Sequence, residues 1–176
     1  MPQLLVLLED KNGDRQAKIS VITALGDLCM HSGEKFVSYL EQVKGPLARA
    51  ICAAAKSSQG LSEEQLQYYN DLRGALSECL TSMLFGLGEN AKSLAMLLPS
   101  TLRMLIASVQ VEAKPTAETF KGVAMLMGDL LSFFRNNARE HVDHGAVQGV
   151  VTTLLQTQDT ECIEAAQFLK ESMSKV

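Results

Sequence analysis

His141 and His144 stand three residues apart with Asp143 between them. That spacing sets two imidazoles on one face of a helix and could hold a metal ion. No third ligand lies near them in sequence and no HExxH pattern occurs, so the pair reads as the solvated start of a helix. Cys29, Cys52, Cys79 and Cys162 form no CxxC or CxH spacing, and each lies inside an apolar run. They are expected as reduced, buried thiols of a cytosolic or nuclear protein. No GxSxG occurs, no Cys sits in a local activating pattern, and no Gly-rich loop is followed by a Lys that could cradle a phosphate. The residue types therefore point away from an enzyme, and neither a metal nor a cofactor is expected.

A different chemistry recurs along the chain. Leu25-Gly26-Asp27-Leu28, Leu76-Ser77-Glu78-Cys79 and Met127-Gly128-Asp129-Leu130 share the order apolar, small, acidic, apolar at a common offset of 51 residues. The flanks agree, with Val21, Leu72 and Val123 in one column and Ala24, Ala75 and Leu126 in another. Such a period in a helical chain implies stacked helix pairs. One acid per repeat, set among apolar neighbours, needs a hydrogen-bonding partner. Asp27, Glu78 and Asp129 are therefore expected to form a ladder between repeats, with Arg49 and Arg103 as candidate partners. Gly26 and Gly128, with Ser77 between them, imply close approach of neighbouring helices, since Gly inside a helix costs about 0.5–1 kcal/mol relative to Ala.

The composition supports a scaffold. Of 176 residues 47% are hydrophobic, only 5% are aromatic and Trp is absent, so Ala, Leu and Met carry the core. These favour helix over sheet. The net charge is -4, and residues 57–91 hold Glu63, Glu64, Asp71, Glu78 and Glu89 against Arg73 alone. With no basic stripe elsewhere, nucleic-acid binding is not expected. No run approaches the roughly 20 apolar residues of a membrane span, and Met1-Pro2-Gln3-Leu4-Leu5 lacks the basic start of a secretory signal. Leu4 to Leu8 reads as the tail of a helix whose partners lie upstream, so the chain is expected to be a piece of something longer.

The elements that would position these residues follow from caps, breakers and 3–4 spacing. Residues 1–9 are a remnant of a preceding helix, followed by a turn centred on Asn12-Gly13. A first pair spans 15–55, turning at Gly33 and kinked or split at Gly45-Pro46. A second spans 62–111, opened by Ser62 with Gln65 as a capping box and broken near Leu98-Pro99. A third spans 116–156, its second helix starting near Glu140. A terminal helix covers 159–176. The second helices share an acid near the N-terminus in Glu34, Glu89 and Glu140, where the helix dipole favours a carboxylate.

Taken in order, three segments carry a family likeness. They are Leu25-Gly26-Asp27-Leu28 with Gly33-Glu34-Lys35-Phe36 and Tyr39-Leu40-Glu41; Tyr69-Asn70-Asp71-Leu72-Arg73 running into Gly86-Leu87; and Met127-Gly128-Asp129-Leu130 followed by a short final helix. The set resembles the C-terminal end of the importin-β-type karyopherins, the nuclear import receptors, over most of the chain from Arg15 onward. It departs from them in Phe168, where a Trp is common, and in a less basic tail from Lys170.

The resemblance implies an all-α, HEAT-repeat α-solenoid of three to four helix pairs. It implies that the second helices line a concave face holding a basic helical segment of an importin-α-like adaptor, or a basic cargo. Candidates for that contact are Glu34, Glu41, Glu89, Glu140 and Asp143, with Glu161, Glu164 and a stacking Phe168 on the last helix; the alternative for each acid is a solvated face. It further implies release by GTP-bound Ran in the full receptor, FG-nucleoporin contacts made by that receptor, and shuttling between cytoplasm and nucleus. A HEAT-repeat scaffold or regulatory subunit with no transport role is the other reading.

Overall fold

The computed structural model describes residues 2–10 and 13–175. Among them there are α-helices and 3-10 segments but no strand. Lys11 and Asn12, the heart of the expected first turn, lie outside the described residues. The helices are α1 (Pro2–Glu9), α2 (Arg15–Ser32), α3 (Val37–Ala54), α4 (Glu63–Leu87), α5 (Leu98–Ser108), α6 (Ala117–Phe134), α7 (Asn136–Arg139), α8 (His144–Leu155) and α9 (Thr160–Ser174). None is long and apolar enough to cross a membrane. The chain forms two compact units, Met1–Ala54 with Leu61–Leu97, and Ala55–Gly60 with Leu98–Val176.

Local chemistry starts and stops the helices. Asp14 accepts from the amides of Gln16 and Ala17 to open α2. Ser62 and Gln65 close the expected capping box on α4, and Thr116 with Thr119 does the same on α6. Gly33 ends α2 at φ +55°, a conformation that glycine adopts without Cβ strain, and its amide reaches Cys29.

Two expected second helices differ from the pattern. The stretch from Asn90 to Pro99 was expected as α-helix, but Gly88–Leu97 is a 3-10 segment. Its buried residues are Ala91, Leu94 and Leu97, a spacing of three that suits a turn of 3.0 residues better than one of 3.6. Pro99 then sits in the first turn of α5, where its missing amide is harmless. In the first pair α3 runs through Pro46 without a break. The carbonyl that loses its amide belongs to the exposed Gln42, which water can reach.

In the first unit α2 packs along α4, α1 against α2 and α3, and the 3-10 segment Gly88–Leu97 against α3 and against the 3-10 turn Gly33–Phe36. Ile22, Leu25, Cys29, Leu76 and Met83 are fully or almost fully buried between these elements. The helices α2 and α4 run parallel, because Arg15 meets Glu64 at 3.4 Å at one end and Gly86 meets Cys29 and Met30 at the other. In the second unit α6 packs on α9, with α5 and α8 alongside. Leu131, Leu154, Ala166 and Leu169 are fully buried there.

Arg73 is the one charged side chain in the buried set among the described residues. Its Nε donates to the carbonyl of Ala54 at 2.9 Å and its guanidinium reaches Asn70 at 3.3 Å. Ala54 is the last residue of α3, so a cation sits at the negative end of that helix dipole. Burial lowers the Arg73 pKa from its ordinary value, which leaves these hydrogen bonds to offset the desolvation. Arg73→Ala is expected to destabilise the chain by roughly 2–4 kcal/mol in urea unfolding, because it leaves buried acceptors unpaired. Arg73→Lys should recover only part of the loss, and full recovery would show that charge rather than the directed Nε bond matters.

Candidate functional site

The acidic column does not converge on one feature. Asp27 on α2 and Glu78 on α4 are exposed, and Asp129 on α6 is half-buried. Among the described residues neither Arg49 nor Arg103 pairs with an acid of the column in its own unit. Arg49 forms an ion pair with Glu9 instead, because α1 lies against α3. Arg103 donates to the carbonyl of Pro99 on its own helix, at 3.3 Å. Burial raises the Asp129 carboxyl above its ordinary 3.8.

The small residues beside those acids do govern packing. A Cβ on Gly26 would stand 2.8 Å from the Cα of Cys79. The backbones of α2 and α4 thus meet at Gly26, as the sequence pattern implies. Gly86, which the pattern did not single out for packing, is as tight: its Cβ would lie 2.7 Å from the carbonyl oxygen of Cys29. Gly128 differs, because a ring covers it. Its Cβ would lie 2.3 Å from Cε1 of Phe168.

That contact changes the place of the last helix. Lys121 meets Glu161 at 2.7 Å, Phe168 lies over Gly128, and Ser132 meets Ser172 at 3.0 Å. Each pair is 40 residues apart, so α9 runs parallel to α6 and stacks on it as α4 stacks on α2. It behaves as the first helix of a further pair, whereas Glu161, Glu164 and Phe168 were expected to extend the binding face of the second helices. Phe168 is half-buried against Gly128, and Glu161 is engaged by Lys121. Lys121 also meets Glu118 at 2.8 Å, and hydrogen bonds to Glu118 and then Glu161 hold its pKa above the ordinary value. Glu164 is exposed.

The remaining candidates are exposed and lie on or beside the second segments. Glu34 is in the 3-10 turn Gly33–Phe36 and Glu89 opens Gly88–Leu97. These two segments pack together, which brings the two N-terminal acids of successive repeats into one unit. Glu89 forms an ion pair with Lys92, which lowers its pKa, and Glu41 pairs with Lys44 at 2.6 Å. In the second unit α8 starts at His144 rather than near Glu140. Asp143 is its cap, accepting from Ala146 at 3.0 Å, and Glu140 lies in the preceding turn. That start also separates the two histidines: His141 lies in the turn and His144 is the first residue of α8. No group of three His, Cys, Asp or Glu suited to a metal occurs among the described residues.

Cys29, Cys79 and Cys162 are buried as expected, but Cys52 is exposed. Ile51 takes the inward position on α3, and the next residue turns about 100° away from it. Burial pushes the Cys29 thiol up to about 11, and burial, then the neighbouring Cys29 and Asp27, push Cys79 up to about 12. Thiols so shifted are poor nucleophiles.

Comparison with known proteins fits this geometry. Residues 1–158 match a family model described as importin subunit beta-1-like, TPR repeats. Importin subunit beta-1 of Arabidopsis thaliana is 25% identical over 183 residues, which cover 99% of this chain and 20% of that protein. A solved structure, described as showing that Kap95p binding induces the switch loops of RanGDP to adopt the GTP-bound conformation, aligns over 99% of this chain with a TM-score of 0.80 and 16% identity. The aligned region is 20% of that chain too, so this protein spans about one fifth of both relatives. The likeness shows the fold to be an all-α HEAT-repeat solenoid. The 40-residue step from α6 to α9 is a HEAT length, longer than the roughly 34 residues of a TPR.

Two outcomes test the packing and the charge. Gly128→Ala is expected to cost about 1–3 kcal/mol by overpacking, and clearly less in a Phe168→Leu background; equal costs in the double-mutant cycle would mean that the ring is not the obstacle. For Asp129 the folded chain holds the proton more tightly than the unfolded one, so stability falls as pH rises from about 3.8 through the raised value. Asp129→Asn should therefore raise the melting temperature at pH 7, and the gain should vanish in acid, below the ordinary carboxyl value.

Proposed function

This chain belongs to the importin subunit beta-1-like family, and from that premise we propose that it forms part of a nuclear import receptor and holds a basic partner segment without covalent chemistry. The observation that carries this reading is the pair Glu34 and Glu89, two exposed carboxylates at equivalent places in neighbouring second segments that pack together. A repeated acid on adjacent repeats suits a helix bearing Lys or Arg at successive turns. Opposed charges of this kind steer and orient a partner more than they add affinity.

Glu41 adds charge on α3, and Glu140 and Asp143 occupy the corresponding position in the second unit. Because Glu89 and Glu41 already hold Lys92 and Lys44, an incoming cation exchanges with a local one. Exposed pairs of this sort are screened by solvent and weak, so the exchange is cheap. On this reading the partner is the basic segment of an importin-α-like adaptor or a basic cargo. Release by GTP-bound Ran and contact with FG nucleoporins belong to the full-length receptor, which moves between cytoplasm and nucleus. The chain itself supplies binding surface and no chemical step. Stacked repeats support this role, since each contacts its neighbours and small shifts between repeats add up.

The test is binding of a fluorescent Lys/Arg-rich helical peptide. Glu34→Lys with Glu89→Lys is expected to weaken it at least about tenfold at low salt, with the wild-type affinity itself falling as salt rises. Unchanged affinity after the double reversal would favour a repeat scaffold with no transport role.

A further inference from the structure

Each of the three helix pairs turns on a residue with the same unusual backbone. Gly33 stands at φ +55°, ψ −133° after α2, Gly88 at +50°, −127° after α4, and Arg135 at +42°, −117° after α6. The first two are glycines, for which this conformation carries no Cβ strain. Arg135 has no such freedom. Lys114 also has a positive φ, but its ψ of 54° places it in the left-handed helical well that L-residues can enter. Arg135 lies outside that well, so its side chain is carried at a backbone cost.

The turn is held on both sides. Arg135 donates its amide to the Leu131 carbonyl at 2.9 Å, and its carbonyl accepts from the Ala138 amide at 2.8 Å. Phe134 and Ala138 are buried. Arg135 and, four residues on, Arg139 are exposed, and neither makes an ion pair among the described residues. The α6 dipole favours a cation at this end, but a Lys or Arg within the last turn of the helix would serve it without strain. The strain therefore needs another reason. A guanidinium is a planar fork that receives carboxylate oxygens in pairs, and this turn fixes the base of one such fork beside a second.

We propose that the turn carrying Arg135 and Arg139 docks an acidic segment of a partner protein through its carboxylates. Charge complementarity selects that occupant. The chain has a net charge of -4, so a Glu-rich segment is repelled by most of the surface and drawn to an exposed basic pair. Glu140 and Asp143 follow the pair in sequence, and Asp143 is engaged as the cap of α8. They bound the site on that side and leave Arg135 as its centre. The site is distinct from Glu34 and Glu89, and it stands whether or not those acids hold a basic segment.

The probe is a fluorescein-labelled peptide with a run of glutamates, titrated against the 176-residue chain at low salt and read by anisotropy. Arg135→Gly should weaken binding roughly tenfold while raising the melting temperature by roughly 2–4 °C, because the backbone strain is released. Arg139→Gln, at an exposed position, should weaken binding without moving the melting temperature. Arg103→Gln, on α5 of the same unit, should do neither. The proposal is overturned if the probe does not bind, if the same peptide with glutamines for its glutamates binds equally well, if Arg135→Gly or Arg139→Gln keeps parental affinity, or if Arg103→Gln weakens binding as much. A fall in the melting temperature of Arg135→Gly overturns it too, since the arginine would then be stabilising the fold.

Discussion

Backbone contact between parallel first helices is the constraint on which the rest of the molecule depends. α2 and α4 meet where Gly26 faces Cys79 and again where Gly86 faces Cys29 and Met30. A methyl group at either glycine would collide with main-chain atoms, which cannot swing aside as a side chain can. The same stacking recurs between α6 and α9, but there a Phe168 ring fills the space that Gly128 leaves. Small residues set how near the helices come, and that distance fixes which neighbouring side chains are buried and which emerge at the seam.

Charge is arranged around this stacking rather than within it. Most carboxylates are exposed, and several are held by a lysine one turn away or on the facing helix, as in Glu41 with Lys44 and Glu161 with Lys121. Each such pair is weak and open to exchange. The exception is Arg73, buried at the end of α3 and tied to the Ala54 carbonyl. Exchangeable pairs thus lie over a core in which, among the described residues, Arg73 is the one buried charged side chain.

The two faces of the first unit differ in kind. The packed 3-10 segments carry Glu34 and Glu89 at equivalent places, the latter held by Lys92. The α2–α4 seam carries the exposed Asp27 and Glu78 beside the exposed Met30 and Phe85.

Several caps and the stacked-pair plan were legible in the sequence, since they rest on local chemistry: Ser62 with Gln65, Gly33 at a positive φ, and apolar residues on a 3.6 period. The 3-10 form of Gly88–Leu97 shows in the three-residue spacing of Ala91, Leu94 and Leu97, although those residues also fit a helical stripe. The partners of Arg49 and Arg73, the place of α9 in the first-helix layer, and the ring over Gly128 were not legible. Each depends on which distant segment lies alongside, and one-dimensional spacing does not carry that information. By itself the sequence determined the elements and their repeat, because hydrogen bonds and periodicity act over a few residues. The tertiary structure alone decided which acids are shared, buried or left open, because pairing and desolvation act between residues tens of positions apart.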